Sequence, residues 1–175
     1  RVYHAVNDFC AVEMSAFYLD MLKDRLYTTP AASRDRRSAQ TALYGLARWL
    51  ARLLPPILSH TAEEIWRHLP GADTLEPSVQ LADWPQAQAD FVDQALGARW
   101  ERLLAIRSEV SRALEQARTS GVVRQPLEAA LTLCSADAAD HALLSGLEQP
   151  LATTFLVSQA ELATLGAVPS PAAMV

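Results

Sequence analysis

The apolar positions of residues 1–27 recur every three or four places, which predicts one long helix. One apolar stripe contains Val2, Val6, Phe9, Val12, Ala16, Leu19 and Leu26, and a second contains Cys10, Met14, Phe17 and Met21. Two stripes indicate neighbours on two sides, as in the central helix of a bundle. Pro30 disfavours helix at the residue before it, so the helix is expected to end near Tyr27.

Two further helices follow in the pattern. Ser33 is the expected N-cap of a helix over residues 33–54, which the prolines at 55–56 end. Thr61 and Glu64 have the spacing of a capping box, in which each side chain satisfies an amide of the first turn. We therefore predict a short helix from Thr61 through Trp66 to Leu69, with Thr61, Glu64 and Trp66 in structural roles.

The second half of the chain changes character near residue 125. Residues 71–89 are acidic and aperiodic and predict a connecting loop, and residues 90–120 predict a long helix that Gly121 stops. Strand-like, helical and strand-like patterns then follow. The predicted fold class is mainly α: a helical bundle over 1–120, a small C-terminal α/β subdomain over 121–165 and a flexible tail over 166–175.

The motif content argues against catalysis in this chain. There is no P-loop, GxGxxG, GxSxG or HExxH motif, so we predict no catalytic residue and no metal site. Cys10 and Cys134 lack CxxC spacing and are expected to be reduced core thiols. No apolar run reaches the length of a membrane span. The chain enters helical periodicity at once and without an initiator Met, which is typical of a fragment of a longer protein.

Charge points to a binding site at one end of the first two helices. The net charge is −5, but Arg34, Arg36, Arg37, Arg48 and Arg52 form a cluster opposed only by Asp35. The only lysine of the chain, Lys23, and Arg25 precede the turn into this cluster. With Tyr27 for stacking and Gln40 for base edges, these cations predict an RNA-binding patch. The alternative is that Lys23 and Arg25 only complement a helix C-terminus or pair with nearby acids.

Three stretches together resemble the anticodon-binding region of bacterial isoleucyl-tRNA synthetases. They are "FCAVEMSAFYLDMLKDRLY", "RRSAQTALYGLARWLARLLPPILSHTAEEIWRHLPG" and "IRSEVSRALEQAR". The resemblance extends over residues 1–135 and more weakly to about 165. It implies a class I synthetase whose helical bundle packs along the anticodon stem and loop of its tRNA.

The resemblance assigns roles by position. Lys23, Asp24, Arg25 and Tyr27 match its KDRxY motif, and Arg36, Arg37 and Gln40 match RRxxQ; Thr61, Glu64 and Trp66 match its TxEEIW stretch. One segment departs from the family, because Gly121 and Val122 replace a basic pair and Arg124 replaces a glycine. Arg124 is therefore an additional candidate for RNA contact.

The resemblance also implies a parent enzyme with sites outside this chain. The parent would be a cytoplasmic isoleucine–tRNA ligase that uses ATP with Mg²⁺, carries catalytic and editing domains, and in many bacterial members has a Zn²⁺ module. None of those cofactors is expected in this fragment, whose partners would be an isoleucine tRNA and the other domains of the same chain, with no membrane. Two alternatives stay open: the same domain of a valyl or leucyl enzyme, and a purely structural helical domain.

Overall fold

The structure is a computed structural model that describes residues 1–147 and 149–166. It divides into two compact units between Phe91 and Val92, and each unit is described by itself. The predicted tail over 166–175 lies outside the described residues, except for Gly166.

The first unit consists of helices and short turns. Its helical elements are α1 (Val2–Asp8), a π-helical segment (Phe9–Leu19), α2 (Asp20–Tyr27), α3 (Arg34–Leu53) and α4 (Ser59–His68). The predicted connecting loop contains short 3₁₀ turns at Ala72–Thr74 and Val79–Leu81, and a third at Ala89–Phe91 begins where the loop ends.

Residues 2–27 form one continuous helical stretch, but its middle is wound differently from the prediction. The segment Phe9–Leu19 is π-helical, with hydrogen bonds between residues five apart instead of four. Only the second stripe, from Cys10 to Met21, is buried or half-buried. The first stripe is largely exposed, with Val2 67% exposed, Val12 62% and Leu19 39%. The prediction of a central helix with neighbours on two sides was wrong within the described residues.

Helix α3 follows the predicted limits closely. The Ser33 hydroxyl accepts a hydrogen bond from the backbone N–H of Arg36, 3.2 Å away, which is the expected N-cap. The helix ends at Leu53, just before the two prolines. Its apolar side joins α4 and the Val79–Leu81 turn in the core of the unit, formed by Ala51, Leu54, Ala62, Trp66, Leu69 and Val79.

The predicted capping box at the start of α4 was wrong. The helix begins at Ser59 with Leu58 in the N-cap position and no side-chain cap, which places Thr61 inside its first turn. The chain turns earlier because the backbone N–H groups of Ile57 and Leu58 both bond to the carbonyl of Leu54. Helical winding is therefore established before the threonine is reached.

The second unit combines the long helix with a small sheet. Its elements are α5 (Gln94–Thr119), β1 (Ala130–Leu133), α6 (Ala138–Ser145), α7 (Leu151–Phe155) and β2 (Gln159–Leu162). The strands are parallel, with Ala130 opposite Gln159 and Leu133 opposite Leu162. A parallel pair needs a long crossover, which α6 and α7 provide.

The unit boundary at 91/92 differs from the predicted division at 120/121. Helix α5 contributes Leu103 and Val110 to the core of the second unit, with Ala129, Leu133, Leu144, Phe155 and Val157. These partners are distant in sequence, so periodicity alone could not show on which side of the boundary α5 belongs. The fold class itself is confirmed: mainly helical, with a small α/β element at the C-terminal end.

Two smaller sequence predictions had different outcomes. Gly121 ends α5 as predicted, at φ +78°: its N–H bonds to the carbonyl of Arg118, and the N–H of Val122 bonds to that of Ala117. This pair of bonds is a Schellman motif.

The two thiols are free, but Cys134 is exposed and Cys10 half-buried, so the expectation of core thiols was wrong for Cys134. None of the described helices is both long and apolar enough to cross a membrane.

Candidate nucleic-acid interface

A hydrogen-bonded turn brings the end of α2 to the start of α3. The Thr29 hydroxyl donates to the carbonyl of Arg25 at 2.6 Å, and the Ser33 hydroxyl donates to Thr29 Oγ1 at 3.2 Å. Ser33 in turn caps α3 through the N–H of Arg36. The turn is therefore fixed by its own side chains, and it brings the KDRxY and RRxxQ residues to one end of the helix pair.

Arg36 is partly committed to holding this turn. Its Nη1 donates to the carbonyl oxygen of Thr29 at 3.1 Å, and the side chain is half-buried. That carbonyl follows the last turn of α2, where backbone acceptors lack intrahelical partners. The guanidinium of Arg36 thus stabilises the turn, and only its remaining N–H groups could face a ligand.

Lys23 has a partner on its own helix. Its Nζ lies 2.5 Å from Asp20 Oδ1, one turn earlier. The hydrogen bond and the charge of Asp20 raise the pKa of Lys23 above its ordinary value. Lys23 is therefore a charged and exposed side chain, but part of its field is compensated by a neighbouring carboxylate. Arg25, two residues on, is half-buried.

Four of the predicted residues present free surface at this end of the unit. Tyr27 is 80% exposed, and Arg34, Arg37 and Gln40 are exposed along α3. Arg34, Arg37 and Gln40 are spaced by three residues, so they are neighbours on the helix surface. Within the described residues neither Arg34 nor Arg37 takes part in an ion pair. Together with the exposed Lys23, these four side chains are the accessible part of the site.

The position of the arginines matters as much as their number. Arg34, Arg36 and Arg37 occupy the first turn of α3, where the helix dipole and unpaired N–H groups favour anions and oppose cations. Asp35 is the one acidic residue of that turn. Since helix solvation alone would favour acids there, the arginines suit a bound anion such as phosphate.

Sequence reasoning missed a groove beside this patch. It has a volume of about 670 Å³ and is lined by six α3 residues and the two residues that follow α4: Arg37, Gln40, Thr41, Leu43, Tyr44, Ala47, Leu69 and Pro70. The Tyr44 side chain was not among the candidates, although its spacing of four from Gln40 places both on one face of α3. That spacing was the signal available in the sequence.

Farther along α3, Arg48 and Arg52 belong to the same charge cluster but are less exposed to solvent. Arg52 Nε donates to the carbonyl of Arg48 at 3.4 Å. Burial, and then the neighbouring charge of Arg48, lower the pKa of Arg52 below its ordinary value. These two arginines are half-buried and contribute less accessible charge than Arg34 and Arg37.

Arg124 belongs to the second unit. Its backbone N–H donates to Glu128 Oε2 at 3.1 Å, just before a 3₁₀ turn at Pro126–Glu128, and its side chain is exposed. The loop that contains it follows the left-handed Gly121. Arg124 is thus available to a ligand of the second unit.

The three residues assigned structural roles differ in what they do. Trp66 is 3% exposed, and its Nε1 donates to the carbonyl of Glu76 at 2.8 Å. Glu64 and Thr61 are exposed. The carboxylate that ties α4 to the loop is that of the adjacent Glu63.

The Glu63 carboxylate accepts hydrogen bonds from a hydroxyl, a backbone N–H and a guanidinium. Its Oε2 receives the Ser78 hydroxyl at 2.8 Å and the N–H of Val79 at 3.0 Å, and its Oε1 lies 3.0 Å from Arg67 Nη2. The Ser78 hydrogen bond is the main cause that lowers the pKa of Glu63. Glu63 therefore anchors the loop after α4 as a carboxylate. Across residues 1–147 and 149–166, no three histidine, cysteine or acidic side chains are grouped to hold a metal ion.

Comparison with known proteins places this arrangement in a family. Residues 1–133, which include the whole patch and groove, match the model of the anticodon-binding domain of tRNA ligase. The chain belongs to this anticodon-binding domain family. The resemblance seen in the KDRxY and RRxxQ stretches is thereby confirmed.

Several curated relatives of this anticodon-binding domain are isoleucine–tRNA ligases. The chain is 52% identical over 161 residues to the isoleucine–tRNA ligase of Moorella thermoacetica, with 92% of the chain covered. It is 48% identical to that of Syntrophotalea carbinolica over 92% of the chain, and 45% identical to that of Geobacter sulfurreducens over 98%. The chain spans 17% of the length of the first two relatives and 18% of the third.

Proposed function

We propose that this chain binds the anticodon stem and loop of an isoleucine tRNA, as one domain of an isoleucine–tRNA ligase. The observation that carries the proposal is the cluster of exposed arginines in the first turn of α3, against the preference of a helix N-terminus, within a chain of the anticodon-binding family. Arg36 closes the preceding turn, but the exposed Arg34 and Arg37 lie where the helix dipole disfavours cations. RNA phosphate supplies the missing counter-charge.

The RNA contact that we propose for each residue follows from how exposed its side chain is. Arg34 and Arg37 contact phosphates, since both are exposed, and Tyr27 offers a ring on which a base can stack. Lys23 adds a weaker contact because Asp20 shares its charge. Arg25 and Arg36 mainly support the turn, and Arg124 contributes from the second unit.

The larger protein is part of the proposal. ATP, Mg²⁺ and isoleucine, and Zn²⁺ where the parent carries a zinc module, bind to domains outside this chain in a cytoplasmic ligase. The apolar side chains exposed on the first helical stretch, Val2 and Val12 among them, suit a covering by the catalytic and editing domains. The chain by itself binds RNA and performs no chemistry.

A salt titration tests the proposal directly. The 175-residue chain is titrated with an isoleucine-tRNA anticodon stem-loop, with a scrambled loop and with valine and leucine stem-loops beside it. We expect a steep loss of affinity with salt and a preference for the isoleucine loop. Failure of the chain to bind any of these hairpins near physiological salt would contradict the proposal. Equal binding of all four would show that the chain contacts RNA phosphates without distinguishing the loop sequence.

Charge reversal identifies the surface. Arg34→Glu combined with Arg37→Glu should weaken binding and lower the salt slope by about two, because each arginine is expected to neutralise one phosphate. Arg99→Glu is the matched control, because Arg99 is also an exposed helical arginine but lies in the second unit. Unchanged binding by the double variant would support the purely structural alternative.

A further inference from the structure

The groove between α3 and the end of α4 has the composition of a nucleobase site. Its lining is mainly apolar, with Leu43, Ala47, Leu69 and Pro70, and Arg37, Gln40 and Thr41 add polar groups. A volume of about 670 Å³ lies within the range of roughly 300–1,000 Å³ typical of small-ligand sites. A flat ring with a polar edge fits such a lining.

We propose that this groove receives one unstacked base of the RNA loop, with Tyr44 against the ring and Gln40 at its polar edge. This inference rests on the proposed function and adds to it a specific place for a single base. Sequence-dependent RNA recognition usually reads loop bases that are splayed out of the stack, so that aromatic rings and amides can reach them.

Gln40 supplies the chemistry for reading an edge. Its side-chain amide carries both a donor and an acceptor, which can pair with a base through two hydrogen bonds. Gln40 is exposed at the rim of the groove, so its amide can exchange water for a base without breaking protein contacts. The Thr41 hydroxyl, by contrast, already donates to the carbonyl of Arg37 at 2.9 Å.

Tyr44 supplies a fixed ring. It is half-buried and packs against the core that contains Ala51 and Trp66, while also lining the groove. A ring held by the core loses little freedom when a base stacks on it. Exposed Tyr27 lacks this support, so Tyr44 is the better platform for one defined base.

Arg37 connects the groove to the phosphate patch. It lines the groove and also lies one turn after Arg34 on the exposed surface of α3. A nucleotide whose base enters the groove can therefore keep its phosphate beside Arg37. The groove and the patch then act on the same single-stranded segment.

The test combines abasic scanning with groove variants. The probe is the isoleucine anticodon hairpin, in which each loop nucleotide is replaced in turn by an abasic residue. In the unmodified chain we expect one position at which the abasic change weakens binding by about tenfold, typical of a stacked base. In Gln40→Leu, which removes the amide, and in Thr41→Trp, which blocks the groove mouth, the same abasic change should cost less than about twofold, since the base no longer binds in the groove.

Gln80→Leu is the matched control. Gln80 is an exposed glutamine of the same unit outside the groove, so this variant should keep the full abasic penalty. If the intact hairpin binds well but no abasic penalty depends on Gln40 or Thr41, the groove inference is overturned while the proposed function stands. If the unmodified chain does not bind the intact hairpin, the proposed function fails and the inference fails with it.

Discussion

Arg36 Nη1 donates a hydrogen bond to the carbonyl oxygen of Thr29, 3.1 Å away, across the turn between α2 and α3. The adjacent Arg37 is exposed and lines the groove instead. Two neighbouring arginines of one motif thus face different tasks. One closes a turn of the protein, and the other is accessible to a ligand.

Substituting these two arginines by methionine should separate the tasks. Arg36→Met should lower the free energy of unfolding by about 1 kcal/mol, because a half-buried carbonyl loses its donor, and should change RNA affinity only through the turn. Arg37→Met should leave stability unchanged and lower the salt slope of RNA binding by about one. Denaturant unfolding followed by circular dichroism, with salt titrations beside it, checks both. The reverse pattern would refute this assignment.

Removing the partner of Lys23 should strengthen RNA binding. Asp20→Asn takes away the carboxylate that lies 2.5 Å from Lys23 Nζ and leaves the lysine charge free for phosphate. We expect a gain in affinity of roughly two- to fivefold at low salt, the range of a surface ion pair. Asp73→Asn, at an exposed position of the same unit, is the control. An equal gain from both variants would mean that net charge alone is responsible.

Glu63 should give the first unit a specific acid sensitivity. Its pKa is lowered in the folded state, first by the Ser78 hydroxyl, so its stabilising effect is complete above its unfolded pKa of about 4.3. That effect is lost as the pH falls through the lower folded pKa, because the unfolded chain then binds the proton more readily. Glu63→Gln should flatten this part of the stability profile, measured by unfolding between neutral and acidic pH, whereas Glu64→Gln should not. A profile altered equally by both variants would contradict the role of Glu63.

Trp66 should dominate the stability of the first unit. Trp66→Ala should cost about 3–5 kcal/mol, the usual range for removing a large buried aromatic side chain. Trp66→Phe should cost less, since the ring is partly replaced and mainly the hydrogen bond to Glu76 is lost. Trp84 is 55% exposed, and Trp84→Ala should change the unfolding midpoint little. Comparable losses at the two tryptophans would contradict this packing.

Two glycines of the second unit should respond in opposite directions to alanine. Gly97 lies inside α5, and a methyl group added to its Cα would meet no atom within 4 Å, so Gly97→Ala should stabilise the helix by up to about 1 kcal/mol. Gly121 has the same free space but a φ of +78°, so Gly121→Ala should destabilise by about 1–2 kcal/mol. Thermal unfolding of both variants measures the difference. Equal effects would show that backbone conformation is not the cause.

Much of the fold was predictable because its signals are local. Ser33 limits α3 through its side-chain hydroxyl, and the prolines at 55–56 and Gly121 limit α3 and α5 through the conformations that their backbones favour. The structure places the helix ends beside these residues. The apolar repeat of residues 2–27 predicted a helix correctly but not its π-helical middle. Nor could the repeat show that the stripe with Val2, Val12 and Leu19 is exposed, because exposure depends on which elements pack against the helix.

The candidate site was predictable in its residues more than in their roles. The spacing of Arg34, Arg37 and Gln40 on one helix made their shared surface predictable from the sequence. Whether an arginine faces a carbonyl, as Arg36 does, depends on how the preceding turn folds. Likewise, the capping-box spacing indicated a role for Glu64, whereas the position of Ser78, fifteen residues after Glu63, makes Glu63 the anchored carboxylate.

By itself, the sequence determined the helical class, the limits of α3, the end of α5, the family and the charged end of the α2–α3 pair. Each depends on residues close together along the chain or on motifs that can be matched directly. Tertiary structure alone decided that α5 belongs with the C-terminal sheet, that Glu63 ties α4 to its loop, and that Tyr44, Leu69 and Pro70 form a groove beside Arg37. These features join residues far apart in sequence. The pattern of apolar and polar residues is compatible with several such contacts, and only the packing of the folded chain selects one of them.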